Sequence, residues 1–273
     1  MTDPAATVWV DGIATASLSV HDRGLAYGDG LFETMRLRAG AIANLERHLA
    51  RLAQGCEALE IHGIDAAGLR IELDTLAAAK PDGTLKLVVT RGSGSRGYRP
   101  PRTARPTRVL IWSPPRAEDT EAAASGVRVR LCRTPATENS RLAGLKHLNR
   151  LDNVLARAEW SDEAIVEGLM RDSRGAIVGG TMSNVFAVCA GALMTPRIER
   201  AGVRGVQRAR VIEAAGRLQL RVAELELTPA DLTAADELFL TNAVIGIWPI
   251  AELEGRGFAV GNTTRRLQQE LAL

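Results

Sequence analysis

The apolar positions of this chain change period several times, and each change marks an element. "TVWVDG", from residue 7, is a short β-rich run that ends in a turn. "NLERHLARLAQGCEALEI" places apolar residues three and four apart, the spacing of a helix with one buried face. "LKLVVTRG" and "TRVLIWS" are β-rich runs, so residues 7–112 predict a mixed unit in which strands pack against two helices. Residues 113–126, "SPPRAEDTEAAASG", carry proline, alanine and charge without an apolar stripe and read as a linker with its flanks. The expected boundary lies near residue 118, giving a smaller N-terminal α/β domain over 1–117 and a larger C-terminal domain over 118–273.

The second half opens with a strand pattern, "VRVRLCRTP", and passes through "RLAGLKHLNRLDNV" into an expected helix, "LNRLDNVLARAEW". Strand patterns return in "EGLMRDSRGAIVGG" and "NVFAVCAGALMTP", where Ser173-Arg174-Gly175 and Ala190-Gly191 predict hairpin turns. A helix, "VQRARVIEAAGRLQ", and a β-rich segment, "ELFLTNAVIGIWPI", complete the pattern. No internal repeat or low-complexity tract interrupts it. Periodicity alone therefore gives mixed α and β in two lobes.

Composition narrows the function classes. With 273 residues, 46% of them hydrophobic, the chain can bury a substantial core. The net charge of +2 is small, and arginine alternates with acidic residues, which argues against a nucleic-acid partner or a membrane surface. No apolar run is long enough to cross a bilayer, and "MTDPAATVWVDG" has no basic region followed by an apolar one. Cys56, Cys132 and Cys189 are odd in number and widely spaced, which suits a reducing compartment and small buried side chains. A soluble cytoplasmic protein is the expectation. Histidines 21, 48, 62 and 147 have no cysteine or carboxylate at ligand spacing, so no metal is predicted.

Two stretches carry candidate chemistry. "RGSGSRG" places Gly92, Gly94 and Gly97 in the spacing of a dinucleotide fingerprint, but "YRPPRTARP" follows, and its prolines prevent the helix that the fingerprint needs. The stretch reads instead as a glycine-rich loop whose Arg91, Arg96 and Tyr98 form a candidate anion clamp, since a planar guanidinium grips a carboxylate with two parallel hydrogen bonds. The other stretch surrounds Lys146. Of 34 basic residues only Lys80, Lys86 and Lys146 are lysines, and Lys146 stands between apolar neighbours. A lysine so placed loses solvation of its charged form and becomes available as nucleophile or base, which arginine cannot do.

"LAGLKHLNRLDNVLARAEW", "GGTMSNVF", "TPRIERAGVRGVQRARV" and "LFLTNAVIGIWPI", in this order, resemble the fold type IV pyridoxal-phosphate enzymes. "DRGLAYGDGLFETMR", "ERHLARL" and "RGSGSRGY" occupy the matching places of the first half. The resemblance covers nearly the whole chain and implies a two-domain mixed α/β fold of the D-amino-acid aminotransferase kind, pyridoxal 5'-phosphate as cofactor, and a homodimer. Within that family, "RGSGSRGY" and "LAGLKHLNRL" look most like the aminodeoxychorismate lyases, and a D-amino-acid or branched-chain aminotransferase is the alternative.

By that resemblance Lys146 bonds the cofactor aldehyde and later moves the substrate proton. Arg51 matches the arginine that binds the cofactor phosphate. Val206 and Gln207, after the Gly202 and Gly205 turn, match positions whose N–H groups open a helix toward the same phosphate. Asn242 and Ala243 match the loop that closes the phosphate cup, and Ser183 and Asn184 the residues that support the ring. Arg96 and Tyr98 match a substrate-carboxylate position, in agreement with the anion-clamp reading, and Phe32, Thr34 and Arg36 line the substrate side.

One position departs from the family. Where members read Glu-Gly-Thr-x-Ser-Asn, this chain reads "GGTMSN", so Gly179 replaces the glutamate that contacts the pyridine nitrogen. Without that carboxylate the ring is a weaker electron acceptor, which weakens transamination more than an elimination driven by aromatisation. Gly179 leaves open a catalytically impaired homologue, and Gly179→Glu is expected to raise any transaminase side activity.

Overall fold

The computed structural model describes residues 7–115 and 120–272. The chain divides into two compact units, Met1–Ala117 with Leu145–Asn149, and Glu118–Gly144 with Arg150–Leu273. The boundary expected near residue 118 lies outside the described residues. Lys146, expected within the second domain, falls in the first unit.

In the first unit the order is β1 (Thr7–Val10), β2 (Ile13–Ala14), α1 (Arg23–Tyr27), β3 (Gly30–Arg38), β4 (Ala41–Ile42), α2 (Leu45–Ala58), α3 (Ala66–Ala79), β5 (Gly83–Thr90) and β6 (Thr107–Ser113). The strands form one antiparallel sheet, ordered β2-β1-β6-β5-β3-β4. Along β3, Leu31, Met35 and Leu37 alternate inward and pack with Leu45 and Leu52 of α2, Leu69 and Leu73 of α3, and Leu85 and Leu87 of β5. The period of two on the strand and the 3.6-residue period on the helices meet in this one core. Residues 145–149 join the unit because Phe32 N–H donates to Lys146 O at 2.9 Å and Leu148 N–H to Gly30 O at 3.0 Å, so the segment runs beside β3.

The second unit contains α4 (Thr120–Ser125), β7 (Val127–Leu131), α5 (Leu151–Arg157), β8 (Ile165–Arg171), β9 (Ile177–Gly180), β10 (Asn184–Cys189), β11 (Ala192–Pro196), α6 (Val206–Arg217), β12 (Val222–Leu225), α7 (Pro229–Ala234), β13 (Glu237–Asn242), β14 (Gly246–Leu253), β15 (Arg256–Gly257) and α8 (Asn262–Glu270). Its mixed sheet runs β12-β11-β10-β13-β14-β7-β8-β9, with β15 beside β14. Both faces of the central strands are covered. Val185 and Ala187 pack into a cluster with Leu232 of α7, while Phe186 and Val188 face Val211 of α6 and Leu267 of α8. Phe186 stacks on Phe239 of the neighbouring strand with centroids 5.0 Å apart. This two-sided burial explains why "VFAV", residues 185–188, is an unbroken apolar run.

Two expectations change. The proposed linker is helical from Thr120, and Ala122 and Ala123 pack against the sheet, because two small side chains suffice there without a wider apolar stripe. The helix expected from Leu148 starts only at Leu151, since the preceding residues pair with β3. Cys56 and Cys132 are buried and Cys189 is half-buried; burial pushes the first two thiols up to about 11 and about 12. Among the described residues no helix is long and apolar enough to cross a membrane.

Candidate active site

The alternation of β3 sets the first group of site residues. Phe32, Thr34 and Arg36 are half-buried on the face opposite the core. Lys146 is also half-buried, and its Nζ lies 4.2 Å from the centroid of the Phe32 ring, with Lys86 Nζ 5.3 Å from the same centroid. The ring's negative face attracts an ammonium, so Phe32 fixes the height of the Lys146 amine above the sheet.

Behind the same strand stands a carboxylate that the sequence reading passed over. Glu33 is 2% exposed and accepts from Arg51 Nε at 2.8 Å, Arg51 Nη2 at 2.5 Å and His48 Nδ1 at 2.6 Å. A carboxylate only accepts, so His48 carries its proton on Nδ1. Burial pushes the Glu33 carboxyl up, but the hydrogen bonds and charges of His48 and Arg51 outweigh it and hold the group below the ordinary glutamate value of 4.5. Arg51, matched to the cofactor phosphate, is thus oriented by a two-pronged ion pair. The signal was present in the sequence as an acid at a buried parity of "LFETMRL".

The glycine-rich loop follows β5 without becoming helical. Gly92 has φ +86°, and a Cβ there would lie 1.8 Å from Arg105 O, so only glycine fits the turn. Arg91 does not join an anion clamp. It is 8% exposed, grips both oxygens of Asp29 and donates to the carbonyls of Leu59 and Glu60 beyond α2. Arg96 is exposed and has no ion pair among the described residues, and Tyr98 is 86% exposed with its ring 5.4 Å from that of Tyr27.

In the second unit three turns come together. Asn242 Nδ2 donates to Met182 O at 3.3 Å, and Asn184 Nδ2 donates to Val203 O at 2.9 Å. A Cβ at Gly205 would lie 2.1 Å from Asn184 Oδ1, which explains the glycine before α6. That helix begins at Val206 with no side chain capping its first turn, leaving the amino-terminal N–H groups that suit an anion. Gln207 is 1% exposed, and its Nε2 is buried without a hydrogen-bond partner. Asn242 Oδ1 accepts from Val244 and Ile245 N–H at 2.9 Å each, so this side chain shapes its own turn.

Glu167 on β8 explains the shape of the "GGTMSN" turn. It is fully buried; Oε1 accepts from the N–H groups of Gly168 and Thr181 and from Thr181 Oγ1, and Oε2 accepts from Met182 N–H and Ser183 Oγ. Both oxygens are engaged, so Glu167 is no substitute for the carboxylate missing at residue 179. Gly179 itself has φ +154°, and a Cβ there would lie 3.0 Å from Ser183 O. The expectation that Gly179→Glu simply restores a side chain meets a backbone that disfavours any Cβ.

The sequence pattern of the amino-transferase class IV family matches residues 30–253, and the chain belongs to that family. A solved structure of 4-amino-4-deoxychorismate lyase from Pseudomonas aeruginosa is 51% identical and superposes with a TM-score of 0.93 over 97% of each chain. An aminodeoxychorismate lyase from Vibrio harveyi is 30% identical over 96% of this chain and 98% of its own. A putative branched-chain-amino-acid aminotransferase from Methanocaldococcus jannaschii is 33% identical over 93% and 90%. Pyridoxal phosphate is the cofactor of the family. The residues present fit that cofactor in their donor chemistry: a lysine amine and a carboxylate-oriented arginine in one unit, and in the other an uncapped helix start beside Gln207 Nε2, which has no hydrogen-bond partner among the described residues. A carboxylate at residue 179 for the ring nitrogen is the part that is lacking.

Two outcomes follow. Because the Glu33 pKa is lowered on folding, its contribution to stability is present above the ordinary value of 4.5 and lost as pH falls through the lower folded value. Urea titrations between pH of about 5 and about 3 should show the wild type weakening. Glu33→Gln, already weaker by about 1.5–3 kcal/mol at neutral pH, should show less of that loss. Parallel curves would show that Glu33 does not titrate in this way. Gly179→Ala should lower stability by about 1–3 kcal/mol, and a variant as stable as the wild type would mean the backbone there is unstrained.

Proposed function

We propose that this chain is a pyridoxal-phosphate-dependent lyase that converts 4-amino-4-deoxychorismate to 4-aminobenzoate and pyruvate, a step of folate biosynthesis. The observation that carries the reading is Gly179, on a backbone that disfavours a Cβ, with the nearby Glu167 carboxylate fully engaged. The 51% identity to the Pseudomonas aeruginosa lyase supports it.

When bound, the cofactor supplies an aldehyde that bonds amines and a ring that takes up electrons released at the amine-bearing carbon. Lys146, held over Phe32, is the nucleophile toward that aldehyde and then the base that removes the proton from the amine-bearing ring carbon. Losing that proton and breaking the ether bond to enolpyruvate leaves an aromatic ring, so the chain's residues have a modest electronic task. Lys146 returns the proton to the departing enolpyruvate, which becomes pyruvate. Arg51 in the first unit, and Val206, Gln207 and Ala243 in the second, are the groups that would bind the phosphate; Ser183 and Asn184, on the turn that Glu167 braces, would support the ring. Arg96, Tyr98 and Arg36 hold substrate carboxylates, and Thr34 and Phe32 line the substrate side.

A second reading, transamination of D-amino or branched-chain amino acids, draws on the 33% identity to the Methanocaldococcus jannaschii protein. The lack of a carboxylate at residue 179 weighs against it. We assign the enzyme to the cytoplasm on its unpaired, largely buried cysteines. We also assign a homodimer on α5, where Leu151, Val154 and Leu155 are 70%, 60% and 54% exposed on one helical face.

Adding pyridoxal phosphate to the purified protein should give a visible absorption band that borohydride traps on Lys146, and the loaded protein should release 4-aminobenzoate. Lys146→Arg should abolish the adduct and lower turnover by about 100- to 10,000-fold. Exchange of amino and keto acids without 4-aminobenzoate would instead establish the aminotransferase. Sedimentation should report a dimer; a monomer at micromolar concentration would remove the role given to α5.

A further inference from the structure

The tip of the loop that presents Arg96 and Tyr98 is open: Gly97 has φ +107°, and a Cβ built on it meets nothing within 4 Å. A buried guanidinium holds the loop at two successive carbonyls. Arg23, on α1, has a side chain 5% exposed; Nη1 donates to Gly97 O and Nη2 to Tyr98 O, each at 2.9 Å. Its Nε donates to Asp29 Oδ2 at 2.8 Å, and Asp29 is gripped in turn by Arg91, which is anchored on the carbonyls of Leu59 and Glu60. The guanidinium lies 4.8 Å from the centroid of the Tyr27 ring, and the Tyr27 hydroxyl accepts from Gly97 N–H at 3.2 Å.

We infer that Arg23 is a positioning residue for substrate recognition: it clamps the Gly97 and Tyr98 carbonyls, with Tyr27 and Asp29 as its supports, so that Arg96 and Tyr98 present their donors to a substrate carboxylate. The inference rests on the carboxylate-binding reading of Arg96 and Tyr98. Arginine is required because two divergent N–H groups must reach two successive carbonyls while a third holds Asp29, a fork that the point charge of lysine cannot reproduce. The unpaired, exposed Arg96 gains from such a clamp. A flexible arginine loses rotamer and loop freedom on binding, and a loop fixed beforehand reduces that cost.

The test compares Arg23→Lys, Tyr27→Phe and Arg96→Gln in the cofactor-loaded enzyme, reading KM, kcat and the borohydride adduct on Lys146. Arg23→Lys should raise KM about tenfold with kcat within about twofold and the adduct undiminished, because the binding lost is common to ground and transition state. Tyr27→Phe keeps the ring and removes one acceptor, so it should shift KM the same way by a smaller factor, and it carries the test alone if Arg23→Lys does not fold. Unchanged KM in both variants, with KM raised in Arg96→Gln, would overturn the positioning role while leaving the carboxylate reading intact. A fall in kcat and adduct along with KM would also overturn it, by showing a general structural defect. Unchanged KM in Arg96→Gln would instead sink the carboxylate reading, and the inference with it.

Discussion

Two backbone hydrogen bonds, from Phe32 N–H to Lys146 O and from Leu148 N–H to Gly30 O, decide where the amine of this chain stands. They convert five residues of a connecting segment into a partner of β3. The strand's other edge is fixed by its long antiparallel pairing with β5, and its inner face by the core under α2. Lys146 therefore inherits the rigidity of a sheet although it lies in no named strand. The same strand then supplies Phe32 beneath the amine and Glu33 on its other face, so one element orients both Lys146 and Arg51.

Carboxylates wholly or partly out of water organise the rest. Glu33 holds His48 and Arg51, Asp29 holds Arg23 and Arg91, and Glu167 holds the turn from Thr181 to Ser183. In each case the acid is matched by several charged or polar donors, the condition under which burying a charge is tolerable. Each also ties together segments that are apart in the sequence. A loop whose backbone groups end on a buried ion has few alternative arrangements, which is what a site that must hold small molecules in register requires.

The turn at residues 179–184 shows how such bracing bears on chemistry. The relatives this chain matches include both lyases and aminotransferases on one fold, so the fold does not choose the reaction. The choice falls to local electronics. Residue 179 is a glycine and Glu167 is turned wholly to its own loop, so neither position offers a free carboxylate. A reaction that gains its driving force from aromatisation tolerates that loss better than one that must store electrons in the cofactor.

The sequence by itself determined the family and most of the strands and helices, because these are written in local spacing, apolar period and turn residues, and it singled out Lys146 as a lysine among arginines. It also marked Gly179 as a departure. It did not disclose Glu33, His48, Glu167 or Arg23 as organisers, since each has partners 14 to 75 positions away and no local pattern records them. Nor did it disclose that Arg91 is a brace while Arg96 has no ion pair among the described residues, because the two are separated only by which carboxylate lies within reach after folding. The helix from Leu148 was misplaced by three residues for a similar reason: propensity favours helix there, and pairing with β3 overrides it. Spacing fixes what a residue can do, and tertiary contact decides which of those capacities remains available.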